Sequence, residues 1–243
     1  MAKDVIQNLG CPVRVVSLKR SFERREFIES QFAKLGVAFT FFDAVDGRTL
    51  TAADLAKYSE KAALKMEGRG LSPNEIGCAL SHIKLYEELL ASKHECYLIL
   101  EDDIIFGAML LGVVQSRAKL PADWEFINFF TSKEVQPFGD FIFDIYRPGR
   151  FKKSANMAAA YLINRDGAER LLASANPIRL AADGLTGRTN LTGLISYGIS
   201  PRVAAIRDVE SEIGHRGRSN LAYRAVKRAK LIYKFLKTGE VGM

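Results

Sequence analysis

A run of four apolar or aromatic residues that ends in three carboxylates constrains this chain more than any other feature. The apolar part covers Tyr97–Leu100, and Glu101, Asp102 and Asp103 follow directly. A short apolar run of this kind predicts a buried β-strand. Ionised carboxylates are almost never buried without a partner or a metal ion. We therefore expect the strand to deliver its acids to the mouth of a cleft, where open α/β sheets bind their ligands.

The three carboxylates predict a metal site. In an extended chain alternate side chains share a face, so Glu101 and Asp103 can point together while Asp102 points away. Hard oxygen ligands suit Mg²⁺ or Mn²⁺, and such sites use one or two carboxylates together with the oxygens of a substrate phosphate. An acidic loop that follows a strand and binds no metal is the alternative.

Strands that alternate with helices along the chain predict an α/β fold with a central sheet. The predicted strands cover residues 13–18, 39–42, 97–100, 126–130, 158–163 and 202–206. The clearest helix start is Ser72 as N-cap, with Pro73 in the first helical position and Glu75 completing a capping box. Residues 140–151 are rich in aromatic side chains and predict a hairpin or a flexible flap.

Four cations cluster where the first predicted strand meets the first predicted helix. They are Lys19, Arg20, Arg24 and Arg25. Cations beside a helix N-terminus suit phosphate binding. A solvated helix face is the alternative.

The second predicted strand delivers two acids, Asp43 and Asp46, ahead of Gly47. An acid in this position can hydrogen-bond a ribose or a base. It can equally cap the turn through Asp46 and Gly47. Further along, Asp183 follows another apolar stretch, and a turn or capping role before Gly184 is its alternative. His82 lies beside the apolar stripe of the helix that starts at Ser72, which is typical of a core or supporting histidine.

The positive charge of the chain is concentrated near its C-terminus. Eight cations and no acid lie between Arg216 and Lys237, and subtracting them from the net charge of +7 leaves the rest at about −1. We expect one domain over residues 1–215 and a basic amphipathic tail over 216–243. Such a tail suits reversible docking to an anionic membrane surface. Nucleic-acid binding is the weaker alternative, because few aromatic residues for stacking accompany the charges.

The remaining sequence features suggest a cytoplasmic protein. No apolar run approaches membrane-spanning length, and residues 1–10 lack the apolar core of a signal peptide. The three cysteines, Cys11, Cys78 and Cys96, show neither paired nor metal-type spacing. We expect them to be reduced and mostly buried.

Two linked motifs resemble a known family. The run Asn74–His82, with the sequence NEIGCALSH, is followed after a helix by Leu98–Asp103, with the sequence LILEDD. Together with the opening strand and its Arg-rich turn, they resemble the bacterial lipooligosaccharide galactosyltransferases of glycosyltransferase family 25. That family also includes the collagen galactosyltransferase domain. The resemblance runs from about Val13 to about Gly214.

The resemblance implies a GT-A-like α/β domain with a mixed, mostly parallel sheet that binds a nucleotide sugar. It implies transfer of galactose from UDP-galactose, with inversion and with Mn²⁺ or Mg²⁺, to a lipid-linked oligosaccharide. The roles assigned on this basis are Asp103, Glu101 and His215 for the metal, Arg20, Arg24, Asp43, Asp46 and Asp102 for the donor, and Asp183 as the general base. A surface position at the root of the tail is the alternative for His215. The enzyme would then act from the cytoplasmic face of the inner membrane.

Two other functions stay open at this stage. A non-catalytic module could keep the fold and bind a nucleotide sugar or a glycan without chemistry. A metal-dependent phosphohydrolase would also need clustered acids.

Overall fold

A computed structural model describes residues 9–155 and 158–207. The strands are β1 Val13–Ser17, β2 Thr40–Asp43, β3 Cys96–Glu101, β4 Ile104–Phe106, β5 Phe126–Asn128, β6 Val135–Pro137, β7 Arg147–Phe151, β8 Ala160–Asn164, β9 Ser196–Ser200 and β10 Ala204–Ile206. The α-helices are α1 Phe22–Leu35, α2 Ala52–Ala56, α3 Glu60–Glu67, α4 Pro73–Ala91, α5 Ala108–Gln115, α6 Arg165–Ser174, α7 Ala182–Gly187 and α8 Thr189–Thr192.

Eight strands form one sheet in the order β2-β1-β3-β8-β5-β9-β7-β6. The pairings make β8 and β7 antiparallel to their neighbours, so the other six strands run in one direction. Strands β4 and β10 form a separate antiparallel pair. The predicted α/β fold with a mixed central sheet, in which most strands run in one direction, is confirmed.

Strand β3 is buried on both faces. Leu98 and Leu100 pack into the core that the sheet shares with α1 and α5. Tyr97 and Ile99 pack into the core on the other side, against α4 and α6. A strand covered on both faces reads as a continuous apolar run. Its carboxyl end is therefore the place where the chain can bring acids to solvent, as the sequence predicted.

Helix α4 begins as predicted. The Ser72 hydroxyl accepts from the backbone N–H of Glu75, and the Glu75 carboxylate accepts from the backbone N–H of Ser72. Glu75 is buried and also binds Arg69 through two hydrogen bonds of 2.7 and 2.6 Å. Its carboxylate is thus fully engaged in starting the helix and holding the segment before it.

One central strand, β9, was not predicted from the sequence. β9 lies between β5 and β7, although its sequence SYGIS contains few typical strand formers. Gly198 is required there, because a Cβ would come within 2.8 Å of the Phe151 ring and of a Val135 methyl group. The predicted hairpin is present but begins before residue 140, since β6 pairs antiparallel with β7 and residues 138–146 connect the two strands.

Two predictions reach beyond the described ranges. The boundary between residues 215 and 216 and the amphipathic tail both lie outside them. Within the described ranges, none of the helices is long and apolar enough to span a bilayer.

Candidate functional site

The carboxyl ends of the parallel strands β1, β2 and β3 border an open cleft with about 640 Å³ of empty space, which includes the part continuous with solvent. Its walls come from the ends of these strands, from α1 and from the first turns of α4. The lining residues include Ser17, Arg24, Val45, Gly47, Asn74, Cys78, Ser81, Glu101, Asp102 and Asp103. The three acids at the carboxyl end of β3 therefore reach a cleft, as the sequence predicted.

Asp102 connects β3 to β1 and α1. One of its carboxylate oxygens accepts from the Ser17 hydroxyl at 2.6 Å, and the other accepts from Arg24 at 2.7 Å. Both Asp102 and Arg24 are largely buried, so this charged pair is held rigidly. Asp102 thus fixes Arg24 in the cleft wall, where the same guanidinium nitrogen also lies 3.7 Å from Asp103.

Asp103 carries the least satisfied carboxylate of the cleft. Its Oδ1 atom is buried and has no hydrogen-bond partner among the described residues. Its Oδ2 atom lies 3.7 Å from Arg24. Burial, followed by repulsion from Glu101, raises the pKa of Asp103 to about 7 from 3.8. A buried carboxylate with one oxygen free of hydrogen bonds to the described residues, beside another acid, is the arrangement that a bound cation stabilises.

Glu101 lies in front of a buried chain of polar groups. His82 is fully buried, and its Nε2 atom lies 3.4 Å from a Glu101 carboxylate oxygen. Its Nδ1 atom lies 2.6 Å from the Tyr161 hydroxyl, which in turn lies 3.0 Å from the Tyr86 hydroxyl. Burial raises the pKa of both phenols, so both keep their protons. Because a carboxylate only accepts, a neutral His82 that donates to Glu101 carries its proton on Nε2 and accepts from Tyr161.

The floor of the cleft depends on a close contact between α4 and the loop after β2. A Cβ on Gly77 would lie 2.5 Å from the backbone oxygen of Val45, so only glycine allows this approach. Ser81 accepts from the backbone N–H of Val45 at 2.8 Å and donates to the carbonyl of Gly77 at 2.8 Å. Neither Gly77 nor Ser81 was predicted to have a role, although both lie in the motif that resembles the family.

Three of the predicted donor-binding residues lie beside the cleft rather than among its lining residues. Arg20 pairs with Asp46 at 3.3 Å. Asp46 also accepts from the backbone N–H of Arg48 and caps a short 3₁₀ turn, which is the alternative that the sequence left open. Asp43 pairs with Arg25 at 2.7 Å, and this hydrogen bond lowers the pKa of Asp43. Roles for Arg20, Asp43 and Asp46 in donor binding stay predictions.

Asp183 lies in the first turn of α7 and is half-buried. Its carboxylate accepts from the backbone N–H of Ala158 at 3.1 Å. The next residue, Ala159, accepts from the backbone N–H of Glu101 at 2.7 Å. This backbone connection brings Asp183 to the same end of β3 as the acids, and its role as base stays a prediction. The other outlying candidate, His215, lies outside the described residues.

A second cavity, open to solvent and with about 460 Å³ of empty space including that opening, lies against α7. Its lining combines two lysines with hydroxyl and amide side chains and two phenylalanines. These residues are Asn128, Lys152, Lys153, Thr186, Thr189, Ser196, Phe126 and Phe151.

Two overlapping sets of side chains could hold a metal ion. The first is the predicted pair of oxygen ligands, Glu101 and Asp103. The second consists of Cys78, His82 and Glu101, whose ligand atoms lie within 4.8 Å of one another. The signal for the second set was present in the sequence, because Cys78 and His82 are four residues apart on one helix face.

The profile of the family described as "Glycosyltransferase family 25 (LPS biosynthesis protein)" matches residues 11–186. The chain belongs to glycosyltransferase family 25. The matched range contains the residues that line the cleft, the three acids at the end of β3, and helix α4. The predicted family is confirmed.

Individual relatives agree with this assignment. A "Glycosyltransferase 25 family member" of Aedes aegypti is 34% identical over 131 residues, which cover 51% of this chain and 21% of the relative. A "Putative glycosyltransferase" of Haemophilus influenzae is 37% identical over 93 residues, which cover 38% and 32%. A "Probable inactive glycosyltransferase 25 family member 3" of Bos taurus is 28% identical over 177 residues, which cover 69% and 29%.

The chain therefore matches between about a fifth and a third of the length of these relatives. Among solved structures, one match is a glycosyltransferase involved in the glycosylation of the major capsid of PBCV-1. The matched region covers 69% of this chain and 68% of the chain in that structure. Its sequence identity is 11% and its TM-score is 0.32, a likeness too low to bear on function.

Proposed function

We propose that the protein is an active glycosyltransferase that moves galactose from UDP-galactose, with inversion, to the saccharide of a lipooligosaccharide or lipopolysaccharide. The observation that carries this proposal is the buried Oδ1 atom of Asp103, which has no partner within residues 9–155 and 158–207 and lies next to Glu101 in a cleft at the carboxyl ends of parallel strands. The choice of donor and acceptor rests on the family resemblance.

The residues of the cleft fit a divalent cation. Asp103 offers a carboxylate oxygen that lacks a partner among the described residues, and Glu101 offers a second carboxylate on the same cleft wall. An all-oxygen ligand set suits Mn²⁺ or Mg²⁺. Such an ion, when bound, would neutralise negative charge on the departing nucleoside diphosphate. Arg24 adds a fixed positive charge 3.7 Å from Asp103, in reach of the same phosphates.

Inversion requires one displacement at the anomeric carbon. The bond from the acceptor oxygen to that carbon forms while the bond from the carbon to the diphosphate oxygen breaks, and UDP leaves. A general base must accept the proton of the acceptor hydroxyl. Asp183 is our candidate, because Ala158 and Ala159 connect it to the main chain of Glu101.

The cavity against α7 is our candidate acceptor site. Hydroxyl groups of the half-buried Thr189 and Ser196 suit a saccharide, and the half-buried ring of Phe151 suits the apolar face of a sugar. Lys152 and Lys153 suit an acceptor that carries anionic groups, as a phosphorylated saccharide would.

A non-catalytic module that binds a nucleotide sugar or a glycan is the second candidate function. The family relative from Bos taurus that is described as probably inactive favours it. The two candidates differ in turnover and agree in binding.

The decisive experiment measures UDP release from a panel of UDP-sugars with a simple terminal-sugar acceptor, with Mn²⁺ and with a chelator. We expect acceptor-stimulated release from UDP-galactose that requires the metal and is lost in Asp103→Ala. Glu169→Gln, which alters an exposed acid on α6, is the control and keeps full activity. Thermal protection by UDP-sugars without turnover of any donor would favour the binding module.

We also propose that the tail brings the enzyme to an anionic membrane surface on the cytoplasmic side. A variant that ends at Arg218 separates docking from catalysis. It should lose binding to vesicles that contain anionic lipid and keep activity on a short soluble acceptor. Loss of activity on the soluble acceptor would contradict the docking role.

A further inference from the structure

We propose that Cys78, His82 and Glu101 form a Zn²⁺ site in the wall of the cleft, which shares Glu101 with the oxygen-ligand site at Asp103. Cys78 and His82 lie one turn apart on α4 and face the end of β3, where Glu101 lies. Their ligand atoms are within 4.8 Å of one another. The set offers one sulfur, one nitrogen and one oxygen, which is a ligand chemistry that Zn²⁺ accepts and that Mg²⁺ and Mn²⁺ disfavour.

The distance between His82 and Glu101 fits a shared metal better than a hydrogen bond. Their Nε2 and Oε1 atoms are 3.4 Å apart. A hydrogen bond between nitrogen and oxygen usually measures about 2.7–3.2 Å. Two ligands at about 2.1 Å from a tetrahedral zinc ion are separated by about 3.4 Å. The two side chains thus stand at the spacing of one edge of a zinc tetrahedron.

The other side of His82 is prepared for metal binding. A metal-bound histidine typically donates its second ring N–H to a fixed partner. Nδ1 of His82 has such a partner in the Tyr161 hydroxyl at 2.6 Å, and Tyr161 contacts Tyr86 at 3.0 Å. Each hydroxyl can both donate and accept a hydrogen bond. The donors and acceptors in the series His82–Tyr161–Tyr86 can therefore exchange roles when a metal occupies Nε2. His82 then donates from Nδ1 to Tyr161, and Tyr161 donates to Tyr86.

The site is accessible. Cys78 and Glu101 line the cleft, whereas His82 is fully buried behind them. Three protein ligands leave the fourth tetrahedral position open toward the cleft for water or a ligand oxygen. Because Glu101 also belongs to the proposed oxygen-ligand site, Zn²⁺ bound here inhibits transfer by engaging that carboxylate. Only this inhibition rests on the proposed function.

The test uses the full chain without donor and titrates Co²⁺ as a spectroscopic substitute for Zn²⁺. We expect a thiolate-to-cobalt charge-transfer band that saturates at one Co²⁺ per chain and that Zn²⁺ abolishes. Cys78→Ser should remove the band. The matched control is Cys11→Ser, which removes a thiol hydrogen-bonded to Cys96 at the opposite end of β3 and should keep the band. Thermal melting verifies that each variant is folded.

An equal band in folded Cys78→Ser, or none in the folded natural chain, would overturn the proposal. Loss of the band in folded Cys11→Ser would also overturn it, because the thiol at the other end of β3 would then be the ligand. In assays with saturating Mn²⁺, Zn²⁺ should inhibit turnover. The Zn²⁺ concentration that gives the same inhibition should be at least roughly tenfold higher for Cys78→Ser than for the natural chain. If the chain shows no turnover at all, the cobalt band still tests the site, so the two proposals fail independently.

Discussion

The Nδ1 atom of His82 lies 2.6 Å from the Tyr161 hydroxyl, in fully buried space behind the carboxylate of Glu101. Helix α4 supplies the histidine and β8 supplies the tyrosine, so this contact joins the helix to the centre of the sheet. It orients the imidazole toward the cleft.

His82, Tyr161 and Tyr86 form a series of hydrogen bonds. Removing the central hydroxyl, that of Tyr161, should reduce the free energy of unfolding more than removing the terminal hydroxyl of Tyr86. Tyr161→Phe leaves His82 without its partner on Nδ1, and we expect a loss of about 1–3 kcal/mol in the free energy of unfolding. Tyr86→Phe leaves the bond between His82 and Tyr161 intact and should cost about 1 kcal/mol or less. Urea denaturation of both variants tests the ranking. Equal losses would mean that the hydroxyls do not act as a directed chain.

Replacing Asp103 should stabilise the metal-free protein in a pH-dependent way. Burial raises the pKa of Asp103 to about 7, so the unfolded chain loses this proton before the folded protein does. Stability therefore falls as the pH rises from about 4 to about 7, and the whole cost is present above pH 7. Asp103→Asn removes this cost. With a chelator present, we expect its gain to grow from near zero at pH 4 to on the order of a few kcal/mol at pH 8.

Thermal or urea unfolding at pH 4 and pH 8 measures this difference. Glu169→Gln serves again as the exposed-acid control and should change little at either pH. A gain for Asp103→Asn of the same size at both pH values would show that it arises from packing rather than from charge.

The close contact beneath the cleft makes Gly77 intolerant of a side chain. In Gly77→Ala the new Cβ would lie 2.5 Å from the Val45 backbone oxygen, so the loop after β2 must move. We expect a loss of about 1–3 kcal/mol in stability despite the higher helix propensity of alanine, and weaker thermal protection by UDP-sugars. The control is Gly184→Ala in α7, where the nearest atom would be 3.4 Å away and stability should stay level or rise. Equal behaviour of the two variants would contradict the close-contact explanation.

The buried pair of Arg24 and Asp102 should show strong coupling. Arg24→Gln leaves the Asp102 carboxylate largely buried without its cation, and we expect a loss of roughly 3 kcal/mol or more. Adding Asp102→Asn should recover much of that loss. Lys19→Gln, which affects an exposed pair with Asp43, should cost less than about 1 kcal/mol. A double-mutant cycle by urea denaturation measures the coupling, and additive losses would contradict it.

Asp183→Asn tests the proposed base without breaking its backbone contact. The asparagine oxygen can still accept from the N–H of Ala158, so we expect a folded protein with unchanged thermal protection by UDP-sugars. Loss of the base should reduce kcat by about 10²–10⁴-fold. Steady-state assays at several pH values check this prediction. Activity close to that of the natural chain would assign Asp183 to the turn role instead.

Local sequence patterns were sufficient to predict the two elements that border the site, which are strand β3 and helix α4. The apolar run into Glu101 predicted a buried strand with acids at its end, because such a run needs cover on both faces and its carboxylates need solvent or a partner. Ser72, Pro73 and Glu75 predicted the start of α4, because a capping box depends only on residues within one turn. The family motif lies on these same two elements.

Tertiary structure decided which groups meet. Ser17 binds Asp102 across 85 positions of sequence, and His82 binds Tyr161 across 79, and neither pairing leaves a periodic signal in the chain. Strand β9 was not predicted for a related reason. Gly198 is required there because Phe151 and Val135, which are distant in sequence, pack against it in the folded sheet. The sequence by itself determined the strand, its acids and the helix beside it. Long-range packing alone determined that Asp102 binds Ser17 and Arg24, that the Oδ1 atom of Asp103 has no partner among the described residues, and that Cys78, His82 and Glu101 converge.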